Sequence, residues 1–169
     1  MMLDLRALTD FPARVTLEED AARLGVSVSG VSLVGDVRVV LDMVKSEHIY
    51  FGTGQAVCEA QFECSRCLEP FRTTIRGEVE FSIQETNPAQ PFDRDEIPET
   101  ELVIPAAVSK VDITGPVREA LLLEIPLKPL CAEDCRGLCP RCGVNRNERE
   151  CTCRAESSDP RWDGLRDLL

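Results

Sequence analysis

The sequence has one histidine, one tryptophan and one tyrosine, and aromatic residues make up only 5% of its 169 positions. The single histidine, His48, stands beside Ile49, Tyr50 and Phe51 and reads as a strand or turn residue rather than a ligand or general base. Basic residues are also scarce, with 19 Lys and Arg against 30 Asp and Glu and a net charge of −11. That balance argues against a protein that coats nucleic acid or an anionic membrane, since both require a basic surface. No apolar run approaches the ~18 residues of a membrane-spanning helix. The opening Met1-Met2-Leu3-Asp4-Leu5-Arg6 lacks the basic and then apolar regions of a signal peptide, so a cytoplasmic protein is expected. At 43% apolar and 29% charged, the chain has the balance of a globular protein. At this length, folding buries about 68–70% of the unfolded surface.

Charge and cysteine are both unevenly spread. Residues 1–125 carry the whole net charge, whereas acidic and basic side chains balance in 126–169. Of nine cysteines, Cys58, Cys64 and Cys67 sit mid-chain, while Cys131, Cys135, Cys139, Cys142, Cys151 and Cys153 crowd together near the end. The expected division is an acidic body over 1–126, a cysteine-rich metal-binding segment over 127–155 and a C-terminal helix over 156–169.

Apolar residues alternate with polar ones at Val37, Val39, Leu41 and Met43, again at Cys58, Ala60, Phe62 and Cys64, and again at Phe71, Ile75, Val79, Phe81 and Ile83. Period-two alternation fits half-buried antiparallel strands. Residues 3–8 read as a short first strand and 26–33 as extended chain. Thr16 and Glu19 form a capping-box pair, and Gly25 is a natural stop, so a helix is expected over 17–24. A second helix is expected from Asp112 or Thr114, carrying Val117, Ala120, Leu121 and Leu122, with Pro116 in its first turn and Pro126 and Pro129 stopping it. A third opens at Asp159-Pro160 and carries Trp162, Leu165 and Leu169. The acidic, proline-broken stretch 86–101 reads as a loop. The fold expected is α+β: an antiparallel β-sheet with two or three helices and a C-terminal zinc knuckle.

Cysteines in a reducing cytoplasm stay free of disulfides, and their spacing here favours a metal. Cys139-Pro140-Arg141-Cys142-Gly143 has the form of a zinc knuckle, in which Gly143 lets the backbone curl beneath two thiolates. Cys151 and Cys153 follow, and they converge on one ion only if residue 152 bends the chain. The quartet read from spacing is therefore Cys139, Cys142, Cys151 and Cys153, holding one zinc. Cys64, Cys67, Cys131 and Cys135 remain as a second quartet or as shared ligands, with Cys135 joining the tail site or the two Cys-x-x-Cys turns sharing one ribbon. Cys58, on the apolar face of a strand, reads as a small hydrophobe. All-thiolate sites are characteristically closed and structural, whereas catalytic zinc keeps an open position. No thioredoxin-like unit surrounds either Cys-x-x-Cys, although sulfur quartets suit iron as well as zinc. Arg136, Arg141, Arg146 and Arg149 stand beside or between ligands, where they either meet RNA phosphates and bases or neutralise the thiolate charge.

Four stretches together resemble one family. They are Cys64-Ser65-Arg66-Cys67-Leu68, the run Val117–Leu127, the run Cys135–Asn145, and Asp159-Pro160-Arg161-Trp162 before Leu165. In order and spacing they resemble the YceD family, the large ribosomal RNA subunit accumulation proteins, from about residue 36 onward. The resemblance implies a non-enzymatic role in large ribosomal subunit biogenesis, with no membrane and no small-molecule substrate. The partner it implies is large-subunit ribosomal RNA or a basic ribosomal protein. It also places the family's Cys-x-Arg-Cys turn on Cys64, Arg66 and Cys67, which adds Arg66 to the candidate contacts. A zinc-ribbon adaptor, or a redox protein of the iron–sulfur type, is the alternative.

Overall fold

The computed structural model describes residues 1–86, 101–105 and 108–153. The three alternating segments become three long strands, β3 (Val31–Ser46), β4 (Ile49–Glu63) and β5 (Pro70–Thr86). They pair antiparallel in sequence order, with Leu41 opposite Gly54 and Gly54 opposite Val79. One face carries Val37, Val39, Leu41, Met43, Ala56, Cys58, Ala60, Phe62, Ile75, Val79, Phe81 and Ile83, all buried. Burying each of the larger side chains contributes about 1.5–3 kcal/mol, so this face dominates the core. The residues between them, such as Arg38, Asp42, Arg72, Arg76 and Glu80, remain exposed.

β2 (Ala13–Asp20) extends the sheet beside β3, and β6 (Glu101–Pro105) lies parallel to the end of β5, giving the order β2-β3-β4-β5-β6. β1 (Met2–Asp4) and β7 (Lys110–Asp112) form a separate antiparallel pair. The helix α1 (Thr114–Leu123) covers the apolar face through Val117, Ala120 and Leu121. It opens where Asp112 accepts the Thr114 N–H at 2.9 Å. Contact with β5 is backbone-close at Gly77, where an added Cβ would stand 2.3 Å from the Ala120 carbonyl oxygen. Among the described residues no helix is long and apolar enough to cross a membrane.

The expected α+β architecture with two or three helices does not form among the described residues. Among the described residues the protein is mostly β-sheet, with one α-helix and two short 3₁₀ turns, Leu5–Ala7 and Ala21–Leu24. The helix expected over 17–24 is a strand as far as Asp20. Thr16 pairs with Val40 and Leu17 with Val39, so strand pairing overrides the local capping pattern. Glu19 ion-pairs with Arg23 at 2.8 Å, and Asp20 caps the 3₁₀ turn by accepting the Ala22 N–H. Gly25 ends that turn in the left-handed region, as expected. The first strand is shorter than residues 3–8, because Leu5–Ala7 turns away. Residues 87–100, most of the expected acidic loop, and the helix expected over 156–169 lie outside the described residues.

Candidate metal centres

The β4–β5 hairpin positions the first cysteines. Glu63 and Pro70 are register partners at its end, so residues 64–69 form a tight loop at the rim of the sheet. Within it the Leu68 N–H donates to the Cys64 carbonyl at 2.9 Å and the Cys64 N–H to the Glu69 carbonyl at 3.0 Å. After α1 the chain returns to this loop, where the Ser65 N–H donates to Pro129 at 2.8 Å and the Leu138 N–H to Arg66 at 3.0 Å. The Arg66 guanidinium straps the two segments together, donating to the carbonyls of Glu133 at 3.0 Å and Cys135 at 2.9 Å.

These contacts bring Cys64, Cys67, Cys131 and Cys135 together with their sulfurs all within 4.8 Å of one another. The Cys64 and Cys135 sulfurs are 3.8 Å apart, and those of Cys67 and Cys131 3.6 Å. Four sulfurs at about 2.3 Å from one zinc in a tetrahedron stand just under 4 Å apart, so the donor set and its size fit that ion. Cys64, Cys67 and Cys135 are buried and Cys131 is exposed. Phe71, Leu130 and Leu138 pack around this inner group.

Cys139, Cys142, Cys151 and Cys153 form a second, outer group of the same size. The Cys151 sulfur lies 3.3 Å from that of Cys139 and 3.6 Å from that of Cys142. The knuckle turn is closed by the Gly143 N–H donating to the Cys139 carbonyl at 2.9 Å, with Gly143 at φ 71°. Here Cys139 is buried, Cys151 half-buried, and Cys142 and Cys153 exposed. The sulfurs thus divide into two groups of four. Cys135 sits in the inner group, and the two Cys-x-x-Cys turns fall in different groups.

The thiols differ in acidity within each group. Burial works to raise Cys64, but N–H groups of Cys131, Cys67 and Arg66 pointing at its sulfur outweigh it and bring the pKa to about 6. The N–H groups of Cys142 and Arg141 bring Cys139 to about 6. Cys131 is pushed up to about 12, chiefly by Cys135 and Cys67, and Cys153 to about 12 by Cys151 and Cys142. Four thiolates this close repel one another, and a dication among them is what lets all four ionise together. Cys58 belongs to neither group. It is buried in the core, and burial raises its thiol pKa.

Residues 52–169 match the family described as large ribosomal RNA subunit accumulation protein YceD. The chain belongs to the YceD family. Over 168 residues it is 33% identical to an uncharacterized protein of Mycobacterium tuberculosis, covering 99% of this chain and 74% of that one. It is 30% identical over 111 residues to the large ribosomal RNA subunit accumulation protein YceD of Haemophilus influenzae, covering 64% of this chain and 60% of the relative. A chloroplastic homologue of that protein in Arabidopsis thaliana is 36% identical over 70 residues, 41% of this chain and 22% of the relative. No solved structure matches the chain.

For this YceD-family chain the arginines named from sequence fall into two kinds. Arg66 points its guanidinium inward at carbonyls, as described above. Arg136, Arg141, Arg146 and Arg149 are exposed residues of the cysteine-rich segment. His48 is exposed at the β3–β4 turn, away from both sulfur groups, with a ring nitrogen 4.0 Å from Glu85. Sequence reasoning missed Asn147. Its Nδ2 donates to the Cys135 sulfur at 3.3 Å, while its Oδ1 accepts the Arg136 N–H at 2.7 Å. Asn145 braces it, accepting from its N–H and its Nδ2. The sequence signal for it is a pair of asparagines, Asn145 and Asn147, between cysteines and flanked by arginines.

Proposed function

We propose that this protein supports the accumulation or maturation of large-subunit ribosomal RNA by binding rather than catalysis, and that each cysteine quartet holds a structural zinc ion. The observation that supports the first part is the family match over residues 52–169, with a relative in Haemophilus influenzae named as a large ribosomal RNA subunit accumulation protein. The second part rests on two all-cysteine groups of tetrahedral size. Cys64, Cys67, Cys131 and Cys135 are the ligands of one ion, and Cys139, Cys142, Cys151 and Cys153 those of the other. When bound, zinc supplies no reaction here. Four protein thiolates close its coordination, and its binding free energy, about 10–16 kcal/mol at neutral pH in small zinc modules, orders the segment 127–153. In this reading the protein acts in the cytoplasm. Its partner is large-subunit ribosomal RNA or a basic ribosomal protein, reached through the exposed arginines of the tail or the acidic body.

Depleting the protein in its own cells should lower the ratio of large- to small-subunit ribosomal RNA, and the protein should co-sediment with large-subunit precursors on a salt-free gradient. An unchanged ratio would remove the functional part. Elemental analysis of the untagged protein should return two zinc ions per chain. Iron with visible absorption would replace the structural reading by the redox alternative.

A further inference from the structure

The two sulfur groups are alike in composition but not in setting. In the inner group Cys64, Cys67 and Cys135 are 0%, 3% and 5% exposed. Cys131 is exposed, but the sulfur 3.6 Å from it is that of the buried Cys67. The 64–69 turn is tied to Pro129 and, through Arg66, to the carbonyls of Glu133 and Cys135. In the outer group Cys142 and Cys153 are exposed. Thiolate oxidation follows access to the oxidant. We infer that the outer group is an oxidation site, at which hydrogen peroxide joins Cys142 to Cys151 and expels the ion while the inner group keeps its own. This rests on the reading that each group holds zinc.

The chemistry balances with peroxide as the sole oxidant. The exposed Cys142 thiolate attacks one peroxide oxygen, the O–O bond breaks, and a sulfenic acid and a hydroxide result. The Cys151 thiolate then attacks the Cys142 sulfur, an S–S bond forms, and a second hydroxide leaves. Two electrons pass from the sulfurs to the peroxide, and zinc stays divalent. Cys151 is the resolving partner because its sulfur lies 3.6 Å from that of Cys142, against about 2.05 Å in a disulfide. The Cys139 sulfur is closer to that of Cys151, at 3.3 Å, but Cys139 is buried, so it does not meet the oxidant first. Once two of four ligands are joined, the remaining pair holds the ion weakly.

The inner group is connected to this event. Asn147 lies on the loop between Cys142 and Cys151 and donates to the Cys135 sulfur, an inner ligand. The same loop holds the segment between Cys135 and Cys139 through the Arg146 N–H to the Gly137 carbonyl at 2.9 Å. Drawing Cys142 and Cys151 together shifts the loop, so outer oxidation loosens one inner ligand without oxidising it.

The test treats the two-zinc protein with hydrogen peroxide, reads released zinc with a metallochromic dye, and maps disulfides by alkylation and peptide mass. The first zinc should leave with a Cys142–Cys151 disulfide while Cys64, Cys67, Cys131 and Cys135 stay alkylatable after denaturation. Dithiothreitol with added zinc should restore the second equivalent. A first disulfide that includes any inner cysteine, or loss of both ions in one phase, would overturn the inference while leaving two-zinc binding intact. A chain that purifies without zinc would instead overturn the reading beneath it. Asn147→Ala should let a chelator remove the inner ion of the unoxidised protein as readily as it does from the oxidised parent, and an inner ion held as tightly as in the unoxidised parent would remove the coupling.

Discussion

Leu68 and Gly143 hold the same position in two separate turns. Each follows the second cysteine of a Cys-x-x-Cys, each lies in the left-handed region at φ 61° and 71°, and each donates its N–H at 2.9 Å to the carbonyl of the first cysteine. Glycine takes that conformation freely, whereas a leucine holds it against a steric cost of about 1–2 kcal/mol. The Leu68 side chain is 55% exposed, so it regains little by packing.

Leu68→Gly should therefore stabilise the zinc-loaded protein by about 1 kcal/mol, the relieved strain less the greater freedom glycine adds to the unfolded chain. A lowered thermal midpoint would show that the leucine makes a contact worth more than its strain.

Gly77→Ala should act in the opposite direction. The new methyl would stand 2.3 Å from the Ala120 carbonyl oxygen and 2.5 Å from its carbon, both in the backbone of α1. Overpacking of that kind costs about 1–3 kcal/mol, read as a lower denaturant midpoint. An unchanged midpoint would mean that α1 rides further from β5.

Asp112 links stability to pH. The Thr114 hydroxyl, and then the Thr114 N–H, stabilise its carboxylate and hold its pKa below the ordinary 3.8. A carboxyl group lowered on folding contributes stability that is complete above its unfolded pKa and lost as pH falls through the folded one. Asp112→Ala should cost about 1 kcal/mol at pH 7, as loss of a helix-end acceptor does. The gap from the parent protein should close as pH drops below 3.8. A gap that is constant down to acid would exclude the carboxylate as its source.

Chelation should separate tail from sheet. The buried face built by Val39, Leu41, Phe62 and Ile83 involves no metal ligand, whereas few buried apolar side chains lie between residues 127 and 153. Removing zinc from the loaded protein should expose the amides of 131–153 to hydrogen exchange while those of β3, β4 and β5 stay protected. Loss of protection throughout would make the metal a condition for the sheet itself.

Strand positions 37–43, 58–63 and 71–83 were legible because alternation is local and each strand must bury one face. The knuckle at Cys139–Gly143 was legible for a similar reason, since its hydrogen bond closes within five residues. The segment from Thr16 to Asp20 misled because its capping pattern is also local, while the pairing with Asp36–Val40 that wins is not.

Sequence alone determined the acidic body, the cysteine-rich tail, the long strands and the family, all of which depend on composition, period or short spacing. Tertiary structure decided which cysteines meet. Cys131 and Cys64 are 67 positions apart, and Asn147 reaches Cys135 from the other group's loop. Only the return of the chain from α1 to the rim of the β4–β5 hairpin puts these atoms within bonding range. That return is set by where the helix packs on the sheet, a contact no local pattern encodes.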